Sequence, residues 1–396
     1  MILLKNCRLV PYLTEEYKGE TADILIDGKT IVGIYPCGQE TIENAEQIDL
    51  DGKTVLPGYF DLHAHLMCVN ENWDYLMNRP QNTYLMDTAA YAKEYLKQGF
   101  TTIRDCGCDY YASVAVRDAI NKGILTGTRV ITSGKILTPT TRGNSSFGTL
   151  YEEVDGAEAM LKACRTEHAQ GVDFIKYMGT GSVLNLGGDP GQFISSPEEL
   201  RAVVEAADSL GLYVAAHCHG TKGIKEAIKA GIRTIEHATY MDKECVELIL
   251  KRGNTTSTIP TLAINFGILN DYSSPTLPEF KEKALAVTKS MVASLKMCME
   301  AGVLVGFGTD LDLESASAHP CVEFIARSSF GIENKDILLQ ATINSAKIAG
   351  VSDKLGTVCV GKYADLVVIE GNPDEDMSCM QNYPYMVFKE GKRFVE

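Results

Sequence analysis

The sequence predicts an α/β protein in which strands and helices alternate through the middle of the chain, between two short β-rich ends. Residues 57–356 carry eight apolar, β-type segments separated by helical patterns, which is typical of parallel strands with helical crossovers. Both ends show short strands and tight turns instead. The 396 residues, 45% hydrophobic and 22% charged, have the composition of a folded globular protein with one large domain and a smaller one.

The two ends have the same texture. In residues 1–56, Asp27-Gly28 and Asp51-Gly52 each lie between alternating apolar residues, a pattern that predicts two hairpins. Residues 357–396 return to short apolar runs, LVVIEG and YMVFKEG. Neither end alone could bury a core. We therefore expect residues 1–56 and 357–396 to form one small β-sandwich domain.

The central part is predicted to be a (β/α)8 TIM barrel over residues 57–356. The predicted strands are TVLPGYFDLHAHL, TTIRDCG, RVITSGK, DFIKYMGT, YVAAHCHG, RTIEHATY, NTTSTIPTL and LVGFGTDLD. Helical signals separate them; for example, Ser196-Pro197-Glu198-Glu199 predicts a helix start before LRAVVEAADSLG. A doubly wound sheet is the alternative, but its G-x-G-x-x-G turn is absent from the sequence. In a TIM barrel the active site lies at the carboxyl ends of the strands.

Histidines are concentrated at those predicted strand ends. Six of the seven lie in a strand end or in the loop after it: His63, His65, His217, His219, His237 and His319. His63 and His65 are two residues apart, so a strand turns both side chains to one side, where they could bind one metal ion. An H-x-H pair also arises by chance on a polar surface. Convergence of several histidines on one face favours a functional site.

Charged residues inside predicted buried strands need a compensating partner. Lys176 stands in the middle of DFIKYMG. Its amine could reach water at the strand tip, or it could take up carbon dioxide and become a carbamate, a carboxylate able to bridge two cations. Arg104 and Asp105 in the second strand are interpreted as an internal ion pair that fixes the barrel.

Asp310 follows the glycine-rich segment GFGTD, where Gly306 and Gly308 would allow close approach of backbone and ligands. An aspartate at a strand end is often only a helix cap. Here it joins His217 and His237, which end the fifth and sixth predicted strands. Potential metal ligands thus come from strands one, four, five, six and eight.

With these residues the chain resembles the amidohydrolase superfamily, in its form with a carboxylated lysine and two metals. Within it the chain is similar to the prolidase-like or imidazolonepropionase-like branch. The segments that carry the resemblance are 57–66 (PGYFDLHAHL), 101–107 (TTIRDCG), 174–183 (FIKYMGTGSV), 193–207, 214–238, 305–310 (VGFGTD) and 355–373.

The resemblance implies a division of labour among these residues. It assigns the first metal to His63, His65 and Asp310 and the second to His217 and His237, with carboxylated Lys176 between them. A hydroxide shared by the cations would attack an amide carbonyl, and Asp310 would act as general base and then general acid. Two divalent ions are expected, with zinc preferred, although manganese and iron suit the same ligands.

One loop departs from the pattern of the branch. Many relatives carry a histidine near a Gly-Gly-His-Gly sequence after strand three, where this chain has Arg142, Asn144 and Ser145. We predict Arg142, Asn144, His219 and His319 as substrate-binding residues. The alternatives are an ion pair on the rim for Arg142, a supporting role behind the ligands for His219, and a solvated helix start for His319.

The predicted function is a metal-dependent amidohydrolase acting on a small molecule, with a dipeptide or N-acyl amino acid as the leading class. A cyclic amide hydrolase or a deaminase is the alternative, although deaminases typically show H-x-x-E after strand five, where this chain has Gly220. A catalytically inactive binding scaffold is a third alternative, and the presence of all six ligands argues against it.

Composition also limits the partners. The formal net charge of -15 would repel nucleic acid and anionic membranes. No apolar run approaches the roughly 18 residues of a membrane span. The sequence shows no signal peptide, and its twelve scattered cysteines fit reduced thiols, so a cytoplasmic location is expected. The sequence is compatible with both a monomer and a homo-oligomer.

Overall fold

A computed structural model of the chain describes residues 1–38, 42, 44–70, 72–183, 189–272 and 278–395. These residues form two compact units. The first comprises Met1–Asp61, Lys93–Thr102 and His319–Glu396; the second comprises Leu62–Ala92 and Ile103–Ala318. Within the described residues, no helix has the length and apolar character needed to cross a membrane.

The strands, in chain order, are β1 (Ile2–Leu9), β2 (Thr21–Asp27), β3 (Thr30–Tyr35), β4 (Glu46–Asp49), β5 (Thr54–Pro57), β6 (Tyr59–Ala64), β7 (Phe100–Asp105), β8 (Arg129–Thr132), β9 (Ile136–Thr138), β10 (Tyr151–Glu153), β11 (Ile175–Met178), β12 (Val214–Cys218), β13 (Thr234–His237), β14 (Ser257–Ile259), β15 (Leu366–Ile369), β16 (Met386–Lys389) and β17 (Lys392–Arg393).

The α-helices, in chain order, are α1 (Trp73–Asn78), α2 (Gln81–Lys97), α3 (Ala112–Asn121), α4 (Ala157–Ala169), α5 (Pro197–Ser209), α6 (Thr221–Ala230), α7 (Lys243–Lys251), α8 (Leu262–Leu269), α9 (Pro278–Glu300), α10 (Leu313–Ala318), α11 (Val322–Ser329), α12 (Asn334–Leu339) and α13 (Ser345–Ala349). The predicted start of α5 is confirmed: Ser196 and Glu199 form a capping box, and Pro197 occupies the first turn.

Both chain ends contribute to one sheet in the first unit. Its strand order is β17-β16-β15-β5-β1-β2-β3, and β4 also pairs with β1. The pairing of β15 with β5, antiparallel from Leu366↔Pro57 to Ile369↔Thr54, joins the two ends. Alternate residues of these strands pack into one apolar cluster that includes Leu4, Ile24, Val55, Leu366 and Phe388. The division into units assigns residues 57–61, 93–102 and 319–356 to this unit as well, and the predicted boundaries at 56 and 357 stay a prediction.

One of the two predicted hairpins forms. Gly28 and Lys29 connect β2 to β3, which pair antiparallel up to Asp27↔Thr30. The prediction for Asp51-Gly52 is wrong, because β4 and β5 both run parallel to β1 and therefore in the same direction. The N–H of Gly52 donates to the carbonyl of Asn6, at an irregularity of β1, so this turn passes the chain along β1 without reversing it.

The second unit is built on a six-stranded sheet, and β6, β7 and β8 form a further three-stranded sheet. The order of the six-stranded sheet is β10-β9-β11-β12-β13-β14, and all of its pairings are parallel. Helices follow most of these strands, as in β12-α6-β13-α7-β14. The predicted alternation of strands and helices is therefore confirmed as a parallel α/β architecture.

Two of the eight predicted segments, the first and the eighth, are not single strands. The first, TVLPGYFDLHAHL, comprises β5 and β6, which belong to different sheets. The third, RVITSGK, forms β8 in the three-stranded sheet, and β9 in the six-stranded sheet begins directly after it, at Ile136. In the eighth, Val305 forms an isolated parallel bridge with Thr258. The N–H of Leu62 donates to the carbonyl of Phe307 at 2.7 Å, so the eighth segment also contacts β6.

Candidate metal centre

The predicted metal ligands all lie in the second unit, on the strands or directly after them. His63, Lys176, His217 and His237 belong to β6, β11, β12 and β13, and each is less than one-tenth exposed. His65 follows β6, and Asp310 follows the Val305 bridge with a side chain 21% exposed. Adjacent parallel strands present their carboxyl ends at one edge of a sheet, which brings residues distant in sequence together.

Three of these side chains face one another in the first donor group. The Oδ1 atom of Asp310 lies 3.7 Å from Nε2 of His63 and 3.7 Å from Nε2 of His65. One donor atom from each of the three residues lies within 4.8 Å of the others. Two imidazole nitrogens and a carboxylate oxygen at this spacing are a suitable donor set for a divalent first-row metal.

The second donor group is a cluster of imidazoles from β12 and β13. The ring centroids of His217 and His237 are 4.6 Å apart, and those of His63 and His237 are 4.7 Å apart, so the two groups adjoin. The amine Nζ of Lys176 lies 3.4 Å from Nε2 of His63. Lys176 is paired in register with Ala215, two residues before His217 on the neighbouring strand.

The hydrogen bonds of these histidines fit metal binding. In each ring, one nitrogen pairs with a group that is not a proposed ligand: His63 Nδ1 with Glu236, His65 Nδ1 with the Gly107 carbonyl, His217 Nε2 with the Gly181 carbonyl, and His237 Nδ1 with Thr261. The Nε2 atoms of His63 and His65 face the proposed ligand Asp310. Metal-binding histidines usually have such a partner for the second nitrogen, because it fixes the tautomer and the ring orientation.

The electrostatic surroundings keep these rings neutral, as metal ligation requires. Burial, assisted by the nearby Lys176 amine, lowers the pKa of His65 to about 4. Burial and neighbouring charges also lower the pKa of His63, His217 and His237 well below the ordinary value. The donors are therefore unprotonated at neutral pH.

The backbone is strained at two predicted ligands. His237 and Asp310 have φ values of 65° and 58°, in the left-handed region that non-glycine residues seldom adopt. The N–H of Asp310 donates to the His63 carbonyl at 2.8 Å, which ties the strained residue to β6. Gly308 makes that approach feasible, because a Cβ at this position would lie 2.7 Å from Cβ of His63. Such strain is typical of functional sites.

Sequence reasoning missed Glu236. Its carboxylate accepts hydrogen bonds from Arg104 and from Nδ1 of His63, each at 2.7 Å. The interpretation of Arg104 and Asp105 as an ion pair is wrong: Asp105, on the opposite face of β7, accepts from the N–H of Leu66 and from Thr132. A charge inside RTIEHATY, a segment predicted to be a buried strand, was the signal that could have identified Glu236.

His219 lies beside the second donor group. Its Nδ1 pairs with Thr239 Oγ1 at 2.7 Å, and its donor atom falls within 4.8 Å of those of His217 and His237. However, its ring stacks on that of His237, with an interplanar angle of 13°. An imidazole binds a metal through a lone pair in its ring plane, so two stacked rings do not point to one ion. The role of His219 toward a substrate stays a prediction.

The remaining predicted substrate-binding residues have different environments. Arg142 and Ser145 are exposed between β9 and β10. Asn144 is buried, and its amide nitrogen donates to the Pro139 carbonyl and to Glu153, which leaves only its Oδ1 without a partner. His319 belongs to the first unit, where it precedes α11. Their roles toward a substrate stay predictions.

Comparison with known proteins adds an independent finding. The sequence profile of the amidohydrolase family matches residues 54–394. An ochratoxinase from Aspergillus niger is 29% identical over 372 residues, which cover 86% of this chain and 75% of that protein. A crystal structure of a Xaa-Pro dipeptidase with bound methionine aligns with a TM-score of 0.88 at 29% identity, over 100% of both chains. A prolidase complexed with N-methylphosphonate-L-proline aligns with a TM-score of 0.87 at 29% identity, over 99% of both chains.

Proposed function

The chain belongs to the amidohydrolase family, and on that premise we propose that it is a metal-dependent hydrolase that cuts an amide C–N bond in a small molecule. The observation that carries this proposal is the pair of adjoining donor groups, one formed by His63, His65 and Asp310 and the other containing His217 and His237.

In this proposal the first group and the second group each hold a divalent metal ion, with zinc expected. Lys176 reacts with carbon dioxide: its amine nitrogen forms the N–C bond and releases a proton, and the resulting carbamate lies between the two groups. The 3.4 Å from Nζ to Nε2 of His63 supports this position. Bound metals would supply Lewis-acid polarisation of the amide carbonyl and activation of a water molecule.

Asp310 moves the proton. Its side chain is the most exposed of the proposed donors on which the first group depends, 21% against 16% for His65 and 1% for His63, so it is accessible to substrate. Its carboxylate accepts the proton released when water attacks the carbonyl carbon. It then delivers that proton to the leaving nitrogen, as one group acting first as base and then as acid.

A dipeptide or an N-acyl amino acid is the proposed substrate class. Support comes from the relatives, because the Xaa-Pro dipeptidase is named for a dipeptide substrate and the prolidase holds a phosphonate derivative of proline. His219 faces the substrate in this proposal, with its ring held by Thr239.

The experiment is a substrate screen of the protein loaded with zinc and bicarbonate, against dipeptides, N-acyl amino acids, cyclic amides and amino-substituted heterocycles. We expect metal-dependent release of an amine or amino acid from a linear amide, and about two zinc equivalents by elemental analysis. Release of ammonia from heterocycles alone would identify a deaminase. A fully metal-loaded protein that hydrolyses none of these compounds would overturn the proposal.

We also propose that the second unit closes into a (β/α)8 barrel. The bridge between Thr258 and Val305 and the hydrogen bond between Leu62 and Phe307 support closure through the eighth segment. The short connection from β8 to β9, which pairs with β11, supports closure between the two sheets. We propose separately that the protein is cytoplasmic, because its twelve cysteines are all free thiols.

A further inference from the structure

Glu236 is a fully buried carboxylate that stands one residue before a proposed ligand, His237, yet faces a different one, His63. Its Oε2 lies 2.7 Å from Nδ1 of His63. Its Oε1 accepts from Arg104 at 2.7 Å and from the Thr234 hydroxyl at 2.5 Å. Both carboxylate oxygens are therefore engaged, by partners on three different strands.

Arg104 is fixed by further contacts besides the one with Glu236. Its Nε donates to the Leu62 carbonyl at 2.7 Å, and a terminal nitrogen donates to Thr234 at 3.0 Å. The guanidinium also lies 5.3 Å from the ring centroid of Phe174. Because a guanidinium keeps its charge in proteins, it supplies the counter-charge that a buried carboxylate needs.

This arrangement determines where the proton of His63 sits. Arg104 and the Thr234 hydroxyl both donate to this carboxylate, which therefore acts as an acceptor, and the proton it shares with His63 lies on Nδ1. The Nε2 atom then carries a lone pair, and it faces Nζ of Lys176 at 3.4 Å and Oδ1 of Asp310 at 3.7 Å. The ring is thus oriented toward the first donor group before any ligand arrives.

We propose that Glu236, held by Arg104 and Thr234, is a positioning residue that fixes His63 in the tautomer whose Nε2 accepts a metal ion. The consequence for metal affinity rests on the proposed function. The tautomer itself depends only on the hydrogen bonds within this chain.

Glu236 could instead be a metal ligand, since one donor atom each of His63, Cys106 and Glu236 lies within 4.8 Å of the others. The neighbouring charges oppose that role. Arg104 contacts the carboxylate directly, and a cation placed there would be repelled by the guanidinium. The Cys106 thiol, moreover, lies 3.6 Å from the Leu62 carbonyl as a donor.

The first test reads the tautomer of the metal-free wild-type protein. Two-bond ¹H–¹⁵N correlation spectra of protein labelled with ¹⁵N-histidine distinguish the two neutral forms, and a His63→Gln variant assigns the signal. We expect His63 in the form protonated on Nδ1. A signal protonated on Nε2 would overturn the inference, whether or not any variant folds.

The second test compares Glu236→Gln with a control variant, Glu167→Gln. Glu167 is a buried carboxylate on α4 that contacts Tyr111 and Lys135 and no proposed ligand. A glutamine at 236 must either offer an N–H to Nδ1 of His63, which demands the other tautomer, or turn that N–H toward Arg104. Zinc affinity, measured by competition with a chromophoric chelator, should fall about 10- to 100-fold for Glu236→Gln and little for Glu167→Gln. Equal affinities for both variants would refute the positioning role.

The two hypotheses fail separately. A protein that hydrolyses no amide, but shows the Nδ1 tautomer and the selective loss of zinc affinity, would disprove the proposed function and leave this inference intact. An active amidohydrolase with unchanged zinc affinity in Glu236→Gln would do the reverse.

Discussion

The Nζ atom of Lys176 lies 3.4 Å from Nε2 of His63, and both side chains are at most 2% exposed. Burying a charged amine beside imidazoles is energetically costly unless the amine is modified or paired. Lys176→Ala should reduce the metal content from about two equivalents to fewer than one and abolish most activity. Elemental analysis and a ¹³C-bicarbonate NMR signal for a carbamate on the wild type check this.

The control for Lys176→Ala is Lys251→Ala, because Lys251 is an exposed lysine at the end of α7. Short carboxylic acids should restore part of the activity of Lys176→Ala, because they can occupy the position of the carbamate. Full activity and full metal content in Lys176→Ala would reduce the lysine to a structural role.

Asp310→Asn tests the proposed proton transfer. The amide keeps the shape and one ligand oxygen but cannot accept the proton, so turnover should fall by roughly 10²- to 10⁴-fold while zinc content changes less. Asp312→Asn is the matched control, because that carboxylate caps α10 through the N–H of Ser315. Normal turnover in Asp310→Asn would exclude this residue as the proton shuttle.

Arg142→Met tests recognition of a substrate carboxylate. Arg142 is exposed, and a guanidinium can bind a carboxylate bidentately. Such a local cation would attract an anionic substrate that the net charge of -15 otherwise repels. We expect a selective rise in KM for a carboxylate substrate relative to its carboxamide analogue. Equal effects on the two compounds would place Arg142 in a rim ion pair instead.

Glu167→Gln should change how stability depends on pH. Burial raises the pKa of Glu167 to about 7, whereas a carboxyl in the unfolded chain titrates near 4.3. Between these values the folded protein holds a proton that the unfolded chain has released, so Glu167 makes the wild type lose stability as pH rises. Glutamine removes this contribution.

The measurement is urea unfolding at pH 5 and pH 8. The free energy of unfolding of Glu167→Gln, relative to wild type, should rise by about 2.5 kcal/mol between the two values. Glu158→Gln, an exposed residue in the first turn of α4, should show no such change. A constant difference between wild type and Glu167→Gln would mean that this carboxyl titrates normally when folded.

The sequence by itself determined the features that depend on short-range order. The H-x-H spacing places His63 and His65 together, and the Ser196 cap starts α5, because strand alternation and helix capping act over two to four residues. The donor types at the strand ends likewise predicted a set of potential ligands, since strand polarity brings those ends to one edge. Its division into two groups came from the resemblance to the amidohydrolase superfamily.

Only the tertiary structure decided which distant residues became partners. Arg104 pairs with Glu236, 132 residues away, and not with its neighbour Asp105, because adjacent residues of a strand point to opposite faces. The turn at Asp51-Gly52 does not reverse the chain, because the N–H of Gly52 donates to the carbonyl of Asn6 in β1, a strand distant in sequence. Pairing between strands sets both outcomes, and local residue patterns do not encode it.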